Sequence, residues 1–128
     1  METNGTVPAL TRFRKKMESF APISEADFLV LADTMREKHF DKGEVLLKEG
    51  QICKHYYFIL SGYLRSFSLE SGREINVKFY FENDLVCDFV SFRYEQPSQF
   101  YFVAMEDCIV FSSAKIDAFS CIRQPPLA

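Results

Sequence analysis

Four glycines, Gly43, Gly50, Gly62 and Gly72, divide the middle of this chain into short runs rich in Val, Ile, Leu, Phe and Tyr. Segments this short between turns cannot be long helices, and from His39 onward the apolar residues recur with period two, the spacing of a strand buried on one face. The pattern predicts strands at Lys38–Asp41, Glu44–Lys48, Tyr56–Leu60, Tyr63–Leu69, Arg73–Phe81, Gln99–Glu106 and Cys108–Ser112. The links Asp41-Lys42-Gly43, Glu49-Gly50, Ser61-Gly62 and Ser71-Gly72-Arg73 carry turn chemistry. Short strands at near-regular spacing suggest a mainly β fold, an antiparallel double-sheet roll.

At 128 residues the chain fits one domain large enough to bury a real core. Hydrophobic residues make up 48%, with 14 Phe, 6 Tyr and no Trp, which favours an aromatic-rich β core over disorder. A formal charge of −3 supplies no overall drive toward nucleic acid. There is no basic-then-apolar leader and no apolar run near the roughly 20 residues of a membrane span. The expectation is a soluble, cytoplasmic chain without nucleic-acid or membrane contact of its own. Cys53, Cys87, Cys108 and Cys121 show neither C-x-x-C spacing nor a nearby Cys/His pair, so no metal site is indicated.

Helical signals lie on either side of the β region. Pro8 suits a helix start, and Leu10, Phe13, Met17 and Phe20 share one face of a helix reaching Phe20, with Arg12, Arg14, Lys15 and Lys16 on the solvated side. Ser24 and Asp27 resemble a capping box opening a helix over Glu25–Glu37, with Phe28, Leu31, Ala32 and Met35 as its apolar stripe. A last helix over Ala114–Ile122 would be stopped by Pro125-Pro126. This organisation reads as a helical lead-in over 1–20, a β-roll domain over 21–122 and a tail over 123–128.

The order Phe40-Asp41-Lys42-Gly43-Glu44-Val45-Leu46, then Glu49-Gly50-Gln51, then Tyr57-Phe58-Ile59-Leu60-Ser61-Gly62-Tyr63-Leu64-Arg65 resembles the cyclic-nucleotide-binding domain of Crp/Fnr-type bacterial regulators. The likeness continues through Glu82-Asn83-Asp84-Leu85 and Ala104-Met105-Glu106-Asp107-Cys108, covering about residues 20 to 120. It implies a jelly-roll or double-stranded β-helix with flanking N-terminal helices and a short C-terminal helix. It also implies a phosphate-binding cassette between two late strands, here within Phe81–Ala104. In that family Gly-Glu comes early in the cassette and Arg-Ser or Arg-Thr late, because a cyclic phosphate needs a helix N-terminus and an arginine, and a ribose hydroxyl needs a carboxylate.

Aligned through Ala104, the early pair falls on Cys87-Asp88 and the late pair on Ser98-Gln99. Asp88 keeps the carboxylate, Cys87 loses the glycine, and Ser98 removes the bidentate cation. Arg93 is the nearest cation in sequence, and Phe89 opens the short helix between the pairs. The candidate ligand residues are therefore Cys87, Asp88, Phe89, Arg93, Ser98 and Gln99. Asp88 is equally suited to capping a helix over Phe89–Phe92.

Two functional expectations follow. The first is an effector-sensing domain of a Crp/Fnr-type regulator, binding a cyclic nucleotide or other small effector in an altered cassette. The family's dimerisation helix and helix-turn-helix have no counterpart here, although Ile116, Phe119 and Ile122 offer a seam for a homodimer. The second is a ligand-free interaction module whose cassette is filled by Phe89, Phe92 and Phe100. Catalysis is not expected: His39 and His55 are the only histidines, and no nucleophile elbow, P-loop or dinucleotide motif is present.

Overall fold

Two four-stranded antiparallel sheets face each other, and the computed structural model describes residues 3–20 and 22–114. The elements are α1 (Thr3–Glu18), α2 (Glu25–Thr34), β1 (Arg36–Phe40), β2 (Val45–Leu47), β3 (His55–Ser61), β4 (Leu64–Glu70), β5 (Arg73–Tyr80), β6 (Leu85–Val86), α3 (Phe89–Tyr94), β7 (Tyr101–Ala104) and β8 (Cys108–Ala114). One sheet has the order β1-β8-β3-β6 and the other β2-β7-β4-β5. This is the expected mainly β jelly roll. The C-terminal helix expected over Ala114–Ile122, with the seam residues Ile116, Phe119 and Ile122, lies outside the described residues apart from Ala114, which ends β8.

Alternation along β3 divides its side chains between two cores. Ile59 joins Phe40, Leu64, Tyr80, Val86, Phe102, Cys108 and Val110 between the sheets. Tyr56 and Phe58 point the other way, to Phe13 of α1, Phe28 and Leu31 of α2, and Phe92 of α3. The helices thus cover the outer face of the first sheet. α1 is further fixed by Arg12, which donates to Asn83 Oδ1 at 2.7 Å and to the Leu60 carbonyl at 2.9 Å. Arg14 reaches Glu25 of α2 at 2.6 Å and lies over the Phe28 ring. These cations hold helices to the roll rather than standing on a solvated face.

Several boundaries differ from those read in the sequence. α1 begins at Thr3, with Pro8 inside it, and it stops at Glu18, leaving Phe20 64% exposed instead of on the buried face. α2 ends at Thr34, not Glu37. There the Thr34 hydroxyl donates back to the Leu31 carbonyl at 2.7 Å, and Arg36 onward is taken into ladder pairing with β8. Of the capping box, the Ser24 half is present: its Oγ accepts from the Asp27 N–H at 3.0 Å. Strand β6 carried no sequence signal, since two residues cannot display a period.

Candidate functional site

The segment between β6 and β7 folds back on itself through one carboxylate. Asp88 follows β6 and caps α3, where a helix leaves its first N–H groups without intrahelical acceptors. Its Oδ1 accepts from the Ser91 N–H at 3.2 Å, and its Oδ2 accepts from the Ser98 hydroxyl at 2.5 Å. Asp88 is 8% exposed and Ser98 3%. The hydroxyl of Ser98 also accepts from the Phe100 N–H at 3.0 Å. After α3 the chain turns through Glu95 in the left-handed region, and Pro97 bridges Ile52.

Three bonds tie this segment to the loop between β2 and β3. The Ser98 N–H donates to the Gln51 carbonyl and the Gly50 N–H to the Ser98 carbonyl, both at 2.8 Å. The Cys53 N–H donates to Ser91 Oγ, also at 2.8 Å. None of Gln51, Cys53 and Ser91 is among the site residues read from the sequence, where Gln51 figured only in the family resemblance and Cys53 only in the cysteine spacing. Their role arises from the tertiary meeting of two loops, for which no local motif exists.

Of the six residues read from the sequence, the structure brings Asp88 and Ser98 together, with Cys87 adjoining. Phe89 is 62% exposed, Gln99 is also exposed, and Arg93 lies in the last turn of α3, its guanidinium 5.5 Å from the Tyr94 ring centre. The aromatics divide. Phe92 packs edge-on to Tyr56 in the helix-side core at 6.3 Å, Phe100 packs against the inter-sheet core, and Phe89 faces outward.

Beside the cassette is a cavity of about 530 Å³ lined by Leu46, Leu47, Gly50, Gln51, Ile52, Cys53, Lys54, His55 and Tyr57. None of the six predicted residues lines it. Leu46, Leu47 and Tyr57 pack on the inter-sheet core and give the cavity an apolar inner wall, while Gly50, Gln51, Ile52, Lys54 and His55 on its other sides are exposed. Burial pushes the Tyr57 hydroxyl up to about 12, so it stays a neutral donor at physiological pH. Its ring is held edge-on by Phe40 at 5.7 Å and stacked on His55 at 6.4 Å. Among the described residues no group of three or more His, Cys, Asp or Glu could hold a metal ion, and no helix is long and apolar enough to cross a membrane.

The model of the cyclic nucleotide-binding domain family matches residues 37–124, more than half of the chain. The chain belongs to this family. Solved cyclic nucleotide-binding domains share its fold. The regulatory domain of Toxoplasma gondii protein kinase A, solved with cAMP, superposes with a TM-score of 0.79 at 19% identity, over 88% of this chain and 44% of that one. The sensor domain of the transcriptional regulator DNR from Pseudomonas aeruginosa gives 0.74 at 16%, over 87% and 77%. The regulatory subunit of a cAMP-independent protein kinase A from Trypanosoma cruzi, bound to guanosine, gives 0.69 at 18%, over 88% and 41%. The chain therefore spans less than half the length of the two kinase proteins. No curated protein matches it.

Proposed function

We propose that this cyclic nucleotide-binding domain is a cytoplasmic, non-catalytic effector-sensing module of Crp/Fnr type, whose effector is held without a phosphate anchor. The observation that carries this reading is the position of Asp88. A cyclic phosphate needs the α3 N-terminus and a cation; that N-terminus already holds a buried carboxylate, and the family's arginine position holds Ser98, bonded to the same carboxylate. A second anion there would meet like charge in a poorly hydrated site. The Trypanosoma cruzi protein, solved with the phosphate-free nucleoside guanosine, supports a neutral ligand in this fold. The cavity beside the cassette offers Gln51, Lys54, His55 and Tyr57 to such a molecule.

Effector binding would shift α3 and its partner loop between two arrangements, passing the change to the segment after Ala114. There Ile116, Phe119 and Ile122 would form a homodimer seam. DNA contact would fall to another domain or partner, since this chain carries a net −3. A second reading, the ligand-free interaction platform, draws support from Phe100 and Tyr57, which both pack on the inter-sheet core.

A thermal-shift titration separates the readings. Ligand at about 100 times its dissociation constant adds roughly 2.7 kcal/mol, on the order of 10 °C for a domain of this size. A saturable shift with guanosine or adenosine, and none with cyclic AMP, cyclic GMP or cyclic dinucleotides, is the expected result. A larger shift with a cyclic nucleotide would overturn the phosphate-free reading. No shift with any of them would favour the platform.

A further inference from the structure

Gln51 lines the cavity beside the cassette, and its side-chain amide is pinned by its oxygen. In the loop between β2 and β3, Gln51 Oε1 accepts from the Lys48 N–H at 2.9 Å, while the Gln51 N–H donates to the Lys48 carbonyl at 3.0 Å. The Gln51 carbonyl accepts from the Ser98 N–H at 2.8 Å, so the residue is held by its backbone and its side chain together. What remains is the Nε2 amine with its two N–H donors. A free glutamine amide turns over to offer either its oxygen or its nitrogen, and so tells a carbonyl from an amine poorly. Here turning over would set N–H against N–H at Lys48 and lose that bond. The side chain therefore offers donors alone.

The other polar side chains used by this cavity agree with it. Lys54 brings an ammonium group to the exposed rim; such a group can only donate, and no ion pair holds it among the described residues. Tyr57 is half-buried, its ring fixed edge-on by Phe40 and in a stack by His55, and its hydroxyl makes no hydrogen bond among the described residues. Behind these groups Leu46 and Leu47 supply apolar surface. The volume of about 530 Å³ is that of a small-molecule site. Convergent donors around an apolar floor call for a ring system whose edge carries acceptors.

We propose that this cavity selects 6-oxopurine nucleosides over 6-aminopurine nucleosides, with the pinned Gln51 amide as the specificity-determining donor. The inference rests on reading the domain as a sensor of a phosphate-free effector, and it names the class of ligand within that reading. A 6-oxopurine presents two adjacent acceptors, N7 and O6, and lysine reads the same edge in guanine. A 6-aminopurine keeps N7 but puts an N–H donor in place of O6. Against Gln51 Nε2 that leaves two donors facing each other, each without an acceptor once water has left. A site built from hydrogen-bonding groups rejects such a mismatch more strongly than an apolar pocket can.

Calorimetric titration of the full chain with inosine and with adenosine tests the inference. The unmutated chain is expected to bind inosine roughly tenfold or more tightly than adenosine, the worth of about one matched hydrogen bond. Gln51→Glu keeps an oxygen for the Lys48 N–H and replaces the amine with an acceptor. It should weaken inosine while adenosine holds or gains, so that the preference is lost or reversed, a change that mere loosening of the loop would not produce. Tyr57→Phe removes only a hydroxyl and decides where Gln51→Glu fails to fold: it should weaken inosine more than adenosine. Equal affinities, tighter adenosine binding, or a preference that survives Gln51→Glu would overturn the inference and leave the phosphate-free reading standing. Binding of neither nucleoside would remove that reading and the inference with it.

Discussion

Asp88 and Gly62 show what one residue can carry in this fold. Replacing Asp88 with alanine removes the α3 cap and the acceptor for a buried hydroxyl together, at a cost of about 2–4 kcal/mol readable from the urea midpoint. A loss under about 1 kcal/mol would mean that solvent or another group takes over both bonds. Gly62, between β3 and β4, has φ +89°, and a Cβ there would lie 2.6 Å from the Asp107 carbonyl oxygen and 2.6 Å from Cys108 Sγ. Gly43 has a similar φ of +88° and nothing within 4 Å. Gly43→Ala therefore meets only the backbone penalty of about 1 kcal/mol. Gly62→Ala adds a clash with backbone and is expected to lose about 3 kcal/mol or more. Equal losses in the two variants would show that the β7–β8 turn gives way. The sequence marked both glycines as turns but could not tell them apart, because the difference is made by Asp107 and Cys108 arriving from far along the chain. Asp88 as a cap was legible from an acidic residue before a short helix. Its bond to Ser98 was not, since that depends on how the chain turns through Glu95.

Elements with a clear period were legible, and those fixed by pairing or side-chain anchoring were less so. The stripe Leu10, Phe13, Met17 identified the buried face of α1, and the strands β3, β4 and β5 fall close to where alternation placed them. The end of α2 was misplaced because a ladder with β8 outcompeted three more helical residues, and no local propensity announces such competition. The cations of α1 were read as solvated, yet Arg12 and Arg14 bind partners brought up by the roll and by α2. Two variants test how α1 is held. Phe13 is fully buried and its ring meets Phe28, Phe58 and Phe111 at 6.1, 5.4 and 6.3 Å. Phe13→Ala should cost about 3–5 kcal/mol. Arg12→Ala, which breaks the bonds to Asn83 and Leu60, should cost about 1–2 kcal/mol and raise hydrogen exchange in α1 before it does in β3. Uniform acceleration across both elements would instead make α1 part of one cooperative unit with the sheet.

At the scale of the whole molecule, Cys53 and Cys87 both belong to the helix-side core, so the ionisation of that pair should be visible in global stability. From about pH 7 up to the ordinary thiol value of 9.0, the native chain has released the Cys53 proton and the unfolded chain has not. The unfolded state then binds more protons, and stability rises with pH through that window. As pH falls through about 7 the contribution is lost. Above 9.0 the sign reverses: unfolded chains release both protons, whereas the native chain keeps the one on Cys87, whose thiol is held above its ordinary value. The pair should therefore add a maximum near pH 9 to the stability profile. Urea midpoints measured under reductant from pH 6 to 10 would show it as an excess over the Cys53→Ser variant, in which the pair no longer shares a thiolate. Parallel profiles for the two proteins would mean that Cys53 ionises as an ordinary thiol, and that the fold itself does not favour its anion.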